Sequence, residues 1–432
     1  MSVGTRYHDW LVELRRDLHQ RPEPAWREFY TTARIVDEIE AIGVDELYVG
    51  PEMLASDARL AVPDDAALED WADRARAAGV DDDLLDRMAG GHTGAIAVLD
   101  RGEGPTVALR VDIDGLVREE STSDTHHPAA EGFRSRNEGA MHACGHDAHA
   151  AIGLGVLRAL AESDFSGTFK LIAQPAEEQI GGGKAIAESG HLDDVDTLLA
   201  VHVGLDHPTG EVVAGVDGFL AVRHLDATFS GEGAHAGGHP GQGRNAVQAM
   251  ATAVQNLYAI PRHGDGSTRV NAGRVGGGTA SNIVPESAFI EGEVRGETTE
   301  LMEYMWDEAN RVIEHAAEMH DCAYTITRGG EAPSATSDVA VVDRVATAAR
   351  DVAGVDTVRR RDDLGGSEDA TFLMRRVQER GGEAGYVCIG TDHPGGHHTA
   401  TFDVDERSLP IGVDVLSNAV LSAFADGRTN GK

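Results

Sequence analysis

The sequence predicts an α/β fold: a mainly parallel-sheet domain with a compact α+β sandwich inserted into it. Three observations predict this. Short apolar runs alternate with helical segments through the first half, the signature of a parallel sheet. Near Asp217 the alternation gives way to strand, helix, strand, strand, helix, strand, and after Pro333 it returns. Finally, 432 residues are too many for one core to grow efficiently. The expected division is residues 1–217 with 332–432 as one domain and 218–331 as the other.

The elements follow in order. Residues 10–42 read as helices, with Leu11, Leu14 and Leu18 on one face and Ile35, Ile39 and Ile42 on another. Arg21-Pro22-Glu23-Pro24 separates them. Residues 51–91 form a polar, Ala- and Asp-rich helical insertion that either decorates the surface or shapes a pocket. A strand over 106–111 ends in Asp112-Ile113-Asp114, and a helix rich in small residues covers 148–160. A strand over 168–173 runs into Gln174-Pro175-Ala176-Glu177-Glu178, and one over 197–203 carries His202 near its end. The inserted part reads as strand 225–229, helix 246–258, strands 269–275 and 288–295, helix 301–319 and strand 323–328. Helices at 340–352 and 370–377, a strand at 386–389 and an apolar helix near 411–424 complete the chain, and the tail after Asp426 reads as frayed.

Composition narrows the function. The formal net charge is −36, a field that repels nucleic acid and anionic membranes. Lysine occurs only at Lys170, Lys184 and Lys432, and acidic excess with so little lysine resembles the proteins of salt-in halophiles. The charged N-terminus has no apolar core of a signal peptide, and no apolar run is read as long enough to span a bilayer. The expected location is the cytoplasm. Cys144, Cys322 and Cys388 are too few and odd in number for a disulfide framework. Cys322 and Cys388 read as buried small hydrophobes.

Cys144 differs. Met141-His142-Ala143-Cys144-Gly145-His146-Asp147-Ala148-His149 packs three histidines, a cysteine and an aspartate just before a helix. Cys-x-His presents thiolate and imidazole to one metal from a turn that glycine makes tight. Asp147 stands where it caps the helix or orients a ligand. Of the adjacent Glu177 and Glu178, one can bind metal while the other handles protons. His202, the His397-His398 pair and Asp112 with Asp114 follow strands of one inferred sheet, and sites in such sheets form outside the carboxyl ends of the strands. The runs Gly181-Gly182-Gly183-Lys184 and Gly276-Gly277-Gly278 lack phosphate-loop spacing and read as turns.

Several motifs resemble the amidohydrolase branch of the aminoacylase and carboxypeptidase G superfamily of metallopeptidases. They are Arg110-Val111-Asp112-Ile113-Asp114-Gly115-Leu116, His142-Ala143-Cys144-Gly145-His146-Asp147 and Gln174-Pro175-Ala176-Glu177-Glu178. Gly277-Gly278-Thr279-Ala280-Ser281-Asn282-Ile283-Val284-Pro285, Gly366-Ser367-Glu368-Asp369 and His398-Thr399-Ala400-Thr401-Phe402-Asp403 match later motifs in order. The resemblance spans nearly the whole chain. The 51–91 insertion and the His397-His398 pair resemble the aminobenzoyl-glutamate utilisation group in particular.

The resemblance implies metal ligands at Cys144, His146, Glu178, His202 and His398, holding manganese or zinc. It implies Glu177 as general base and Asp112 as support for the metal site. His235, in Gly233-Ala234-His235-Ala236, matches a histidine that reaches a partner's active site and there donates to the oxyanion. Asn282, Arg295 and Gly366 match substrate-binding positions, and an arginine fork suits a carboxylate. Arg244 and Arg269 either assist or serve as salt-bridge partners. The inserted domain is expected to act as lid and dimerisation domain, in a homodimer or with a related subunit. The expected activity is hydrolysis of N-acyl or N-aroyl amino acids, aminobenzoyl-glutamate first. Two rivals are a thiol hydrolase using Cys144 and a non-catalytic binding subunit.

Overall fold

The computed structural model describes residues 2–427, so the tail from 428 onward lies outside the described residues. The chain divides into two compact units. The larger gathers Met1–Asp217, Ala335–Leu364 and Glu368–Lys432, and the smaller Gly218–Ser334 with Gly365–Ser367.

The larger unit is built on eight strands. In chain order the first six are β1 (Glu46–Val49), β2 (Ala95–Asp100), β3 (Thr106–Asp112), β4 (Thr168–Gln174), β5 (Thr197–Val203) and β6 (Glu211–Val213). A short β7 (Val216–Asp217) closes this part of the chain. The smaller unit contributes β8 (Ala221–Ser230), β9 (Thr268–Gly277), β10 (Ser287–Gly296) and β11 (Ala323–Ala332). Then follow β12 (Thr357–Arg359), β13 (Asp362–Asp363) and β14 (Glu383–Ile389).

The large sheet runs β1-β2-β4-β3-β5-β14-β6-β12. Its centre, β4-β3-β5-β14, is parallel, while β1, β2 and β6 join antiparallel. Every residue of β3 and β5 is buried, as expected of parallel strands covered on both faces. The strands β1, β2 and β6 were not anticipated from the sequence. The helix His146–Ala161 lies over β3 with all but two of its residues buried, which explains its small, apolar composition.

The last helix corrects one expectation. Residues Ser408–Ala425 are long and apolar enough to cross a membrane by length and composition. Most of that stretch is buried inside the unit, where Val413, Leu416, Val420 and Phe424 join the main core, and core helices meet the same criterion.

The 51–91 insertion folds as helices Asp65–Ala77 and Asp82–Arg87, each capped by a preceding aspartate. It does more than decorate. Trp26 Nε1 donates to Leu60 O at 2.8 Å, and Leu60 N donates to Gly181 O at 3.2 Å. These bonds tie the insertion to the loop that carries Glu177 and Glu178.

The smaller unit is a four-stranded antiparallel sheet, β11-β8-β10-β9. Helices Ala246–Leu257 and Thr299–Met319 cover one face, burying Phe229, Ile290, Val294, Met305 and Ile313 among them. The alternating burial along β8 shows one packed and one open face. The return of residues 365–367 to this unit was not anticipated. Leu220 N donates to Gly366 O at 2.7 Å and Ser367 Oγ to Leu220 O at 2.6 Å.

Candidate metal centre

Four adjacent parallel strands deliver ionisable groups to one edge of the large sheet. β3 ends at Asp112, β4 leads to Glu177 and Glu178, β5 carries His202, and β14 precedes the loop with His397 and His398. The Cys144 cluster enters from the helix above. Gly145 is the helix N-cap in the left-handed region, φ 93°. A Cβ there would also lie 2.5 Å from Val203 Cγ2, so the position demands glycine twice over. The helix starts at His146, earlier than its hydrophobic pattern suggests.

The distances define a compact cluster. Cys144 Sγ lies 3.4 Å from His202 Nε2 and 3.7 Å from His397 Nδ1. His146 Nε2 lies 3.8 Å from Glu178 Oε1, 3.6 Å from Asp112 Oδ1 and 4.0 Å from Glu177 Oε2. His398 Nε2 is 3.6 Å from Glu178 Oε2. Cys144, His146 and Glu178 can offer one ion three donor atoms, as can Cys144, His202 and His397.

The supporting bonds fix these groups. Asp114 accepts the backbone N–H of Glu177 at 3.2 Å and of Glu178 at 3.0 Å, and also faces His146 Nδ1. Arg110 donates to Asp112 at 2.6 Å and to Gln174 at 2.8 Å. Asp147 does not cap its helix. It accepts from Arg15 at 2.7 Å and faces His19 Nδ1 at 2.8 Å. This second of the two roles read for Asp147 orients the turn from behind.

The donor set fits a divalent cation. His146 Nε2 and Glu178 Oε1 are buried without hydrogen-bond partners among the described residues, and buried polar groups are rarely left so. Burial pushes the Glu178 carboxyl up to about 8, with Asp114 adding and His146 opposing. Burial, then Glu368 and Glu178, hold Glu177 well above the carboxylate range. Burial and the neighbouring carboxylates also push the Cys144 thiol up, while burial keeps His202 neutral. Crowded carboxyls, a thiol and a neutral imidazole are what a cation would bring to their charged, ligating forms. A free Cys144 nucleophile, in contrast, would need a lowered thiol.

In the smaller unit, His235 Nδ1 accepts the N–H of Gly237 at 3.1 Å and of Gly238 at 2.9 Å. The ring proton therefore sits on Nε2, exposed and free to donate. Ala236 N donates to Asn282 O at 2.9 Å, so the His235 and Asn282 loops are neighbours. Arg295 forms a two-pronged ion pair with Glu293, at 2.8 and 2.9 Å. Gly366 accepts from Leu220 as described above.

Residues 108–422 match the description Peptidase family M20/M25/M40. The chain belongs to this family. It is accordingly an M20 hydrolase acting on amide bonds. Among similar proteins, "Indole-3-acetyl-aspartic acid hydrolase" of Enterobacter agglomerans is 41% identical, over 95% of this chain and 95% of its own. One of the subunits of the p-aminobenzoyl-glutamate hydrolase of Escherichia coli (strain K12) is 40% identical, over 98% and 96%. A solved aminobenzoyl-glutamate utilization protein from Klebsiella pneumoniae superposes with a TM-score of 0.83 at 35% identity, covering 97% of each chain.

Within this M20 site two histidines exchange the places expected of them. His397, not His398, stands beside Cys144 and His202. Leu205 N donates to His397 Nε2 at 3.0 Å, so the ring proton is on Nδ1, facing the Cys144 sulfur. In that tautomer His397 is a donor to sulfur. His398 adopts φ 58° and reaches Glu178 from the exposed side. Two further residues escaped the sequence reading. His149 is buried, accepts Val203 N at 2.8 Å and hydrogen-bonds Asp112 through Nδ1. Glu368 groups with Asp112 and Glu177. Both lie inside the motifs given above, and the adjacent acids Glu368-Asp369 were the available signal.

Proposed function

We propose that this enzyme hydrolyses the amide bond of N-acyl or N-aroyl amino acids whose amino acid is acidic, aminobenzoyl-glutamate first. The carrying observation is Glu177: a buried carboxyl 4.0 Å from His146 Nε2, beside a cluster suited to a divalent cation. Similarity to relatives named for aminobenzoyl-glutamate and indole-3-acetyl-aspartate supports the acidic amino acid. An indole-3-acetyl-aspartate-like substrate is the second reading, since that relative is equally similar.

Cys144, His146, Glu178, His202 and His398 would hold the metal, manganese or zinc. When bound, it supplies a Lewis acid that strengthens water as an acid and the carbonyl as an electrophile. Asp112, held by Arg110 and His149, supports that cluster. Glu177 takes a proton from the attacking water, and the water oxygen bonds to the amide carbon. Glu177 then returns the proton to the leaving nitrogen as the C–N bond breaks. His235 donates its Nε2–H to the oxyanion, and Asn282, Arg295 and Gly366 bind substrate. The inserted unit pairs two copies, or this chain with a related subunit. The E. coli relative is named as one part of a hydrolase with more than one kind of chain, which supports a partner.

Glu177→Gln tests the reading. Turnover of aminobenzoyl-glutamate should fall by about 10²- to 10⁴-fold while metal content, measured by elemental analysis, stays unchanged. Retained turnover would remove Glu177 from the mechanism.

A further inference from the structure

The smaller unit contains a cavity of about 570 Å³ whose lining includes Arg262, Arg269, Arg295, Asn271 and Glu293. Every lining residue belongs to this unit. The cavity has three guanidinium groups against one carboxylate. That carboxylate, Glu293, is already engaged by Arg295 in the two-pronged pair. Arg262 and Arg269 have no ion pair or side-chain hydrogen bond among the described residues.

Two features make this excess of cations meaningful. The chain carries 73 acidic side chains against 37 lysines and arginines, so an unpaired arginine is not explained by a shortage of carboxylates. Moreover, Arg269 on β9 stands directly opposite Arg295 on β10 in the antiparallel register. Like charges facing each other across a ladder destabilise it. An anion between them reverses the sign of that interaction. Asn271 is the next residue on the same face, opposite Glu293. Tyr258 O–H donates to its Oδ1 at 3.1 Å, and an amide oriented that way retains its NH₂ as a donor.

We propose that this cavity binds the amino-acid half of the substrate, and that Arg262 and Arg269 select a side-chain carboxylate there. Arg295 is the position already matched to a substrate carboxylate, so the two unpaired arginines supply the cations a second carboxylate requires. The proposal rests on the acidic-substrate reading above and assigns it to particular residues. Guanidinium forks fit carboxylates in two places at once, and a neutral amide of the same shape accepts fewer such bonds and carries no charge. Selectivity for glutamate over glutamine therefore resides in residues of the inserted unit.

The experiment uses the full-length, metal-loaded enzyme and two substrates, aminobenzoyl-glutamate and aminobenzoyl-glutamine. Arg262→Gln, Arg269→Gln and the double variant are compared with the unchanged protein. The readout is the ratio of kcat/KM between the two substrates, with thermal melting to show that each variant is folded. The double variant should lower the glutamate-to-glutamine ratio at least 30-fold, with the loss mainly in KM. Calorimetric binding of free L-glutamate should weaken at least tenfold. A ratio within threefold of the unchanged protein's would overturn the proposal while leaving the acidic-substrate reading standing. If the unchanged protein cleaves no acidic conjugate but binds L-glutamate in a manner lost with Arg262 and Arg269, the substrate reading fails and the carboxylate site survives.

Discussion

The two units use arginine in opposite ways. In the larger unit Arg15 and Arg110 are completely buried, and carboxylates surround both. Arg15 meets Asp147 and Asp403, and Arg110 meets Asp112 and Asp369. In the smaller unit Arg262 and Arg269 are exposed and line a cavity without carboxylate partners among the described residues. A buried arginine here is a structural fastener: it determines where a carboxylate points, and its charge is consumed in doing so. An exposed, unpaired arginine keeps its charge for a solute. Sequence cannot separate the two, because both are single arginines on or beside strands.

The largest effect should come from breaking the buried set. Arg110→Met leaves Asp112 and Asp369 uncompensated in the core and should cost about 3–5 kcal/mol of stability, read by chemical denaturation. A loss below about 1 kcal/mol, the level of an exposed pair, would mean that Arg110 does not fasten the cluster.

A second effect concerns the carboxyls that no arginine balances. The Glu178 carboxyl ordinarily titrates near 4.5 and is held near 8 in the metal-free fold, chiefly by burial. The fold then favours the protonated form. Its stabilising contribution is complete below about pH 4.5 and is lost as pH rises through 8. The chelated protein should therefore melt at progressively lower temperature from about pH 5 to 9. Manganese or zinc, which stabilises the ionised form, should raise the melting temperature most at the alkaline end. Parallel curves with and without metal would contradict the proposed coordination. The smallest effect belongs to the cavity: Arg269→Met should change stability by no more than about 0.5 kcal/mol. A large loss there would make Arg269 another fastener.

Much of this was legible in the sequence for a physical reason. The Cys144 cluster is local, with cysteine and histidine flanking one glycine, so its chemistry shows without tertiary information. The strand–helix order of the inserted unit also showed, because each strand alternates and each helix repeats. What did not show depends on contacts distant in sequence. The tautomer of His397 is set by Leu205, and the role of His149 by Asp112 and Val203. The three-residue return at 365–367 is too short to have periodicity. Asp147 was ambiguous because an aspartate early in a helix serves equally as a cap or an acceptor, and only Arg15 and His19 decide it. The apolar final helix was undervalued as a run because its burial, not its composition, distinguishes it from a membrane span.

The position of β14 has a consequence for how the protein comes into being. This strand is made near the end of synthesis, yet it lies between β5 and β6 and pairs with β5 over seven residues. Until it emerges, the growing chain has a gap in the middle of its main sheet, and the loop bearing His397 and His398 does not yet exist. Contacts so distant in sequence form late and slowly. A ribosome-bound fragment truncated before Glu383 therefore holds Cys144, His146 and Glu178 but not the completed ligand set. The catalyst cannot be assembled while its chain is still being made.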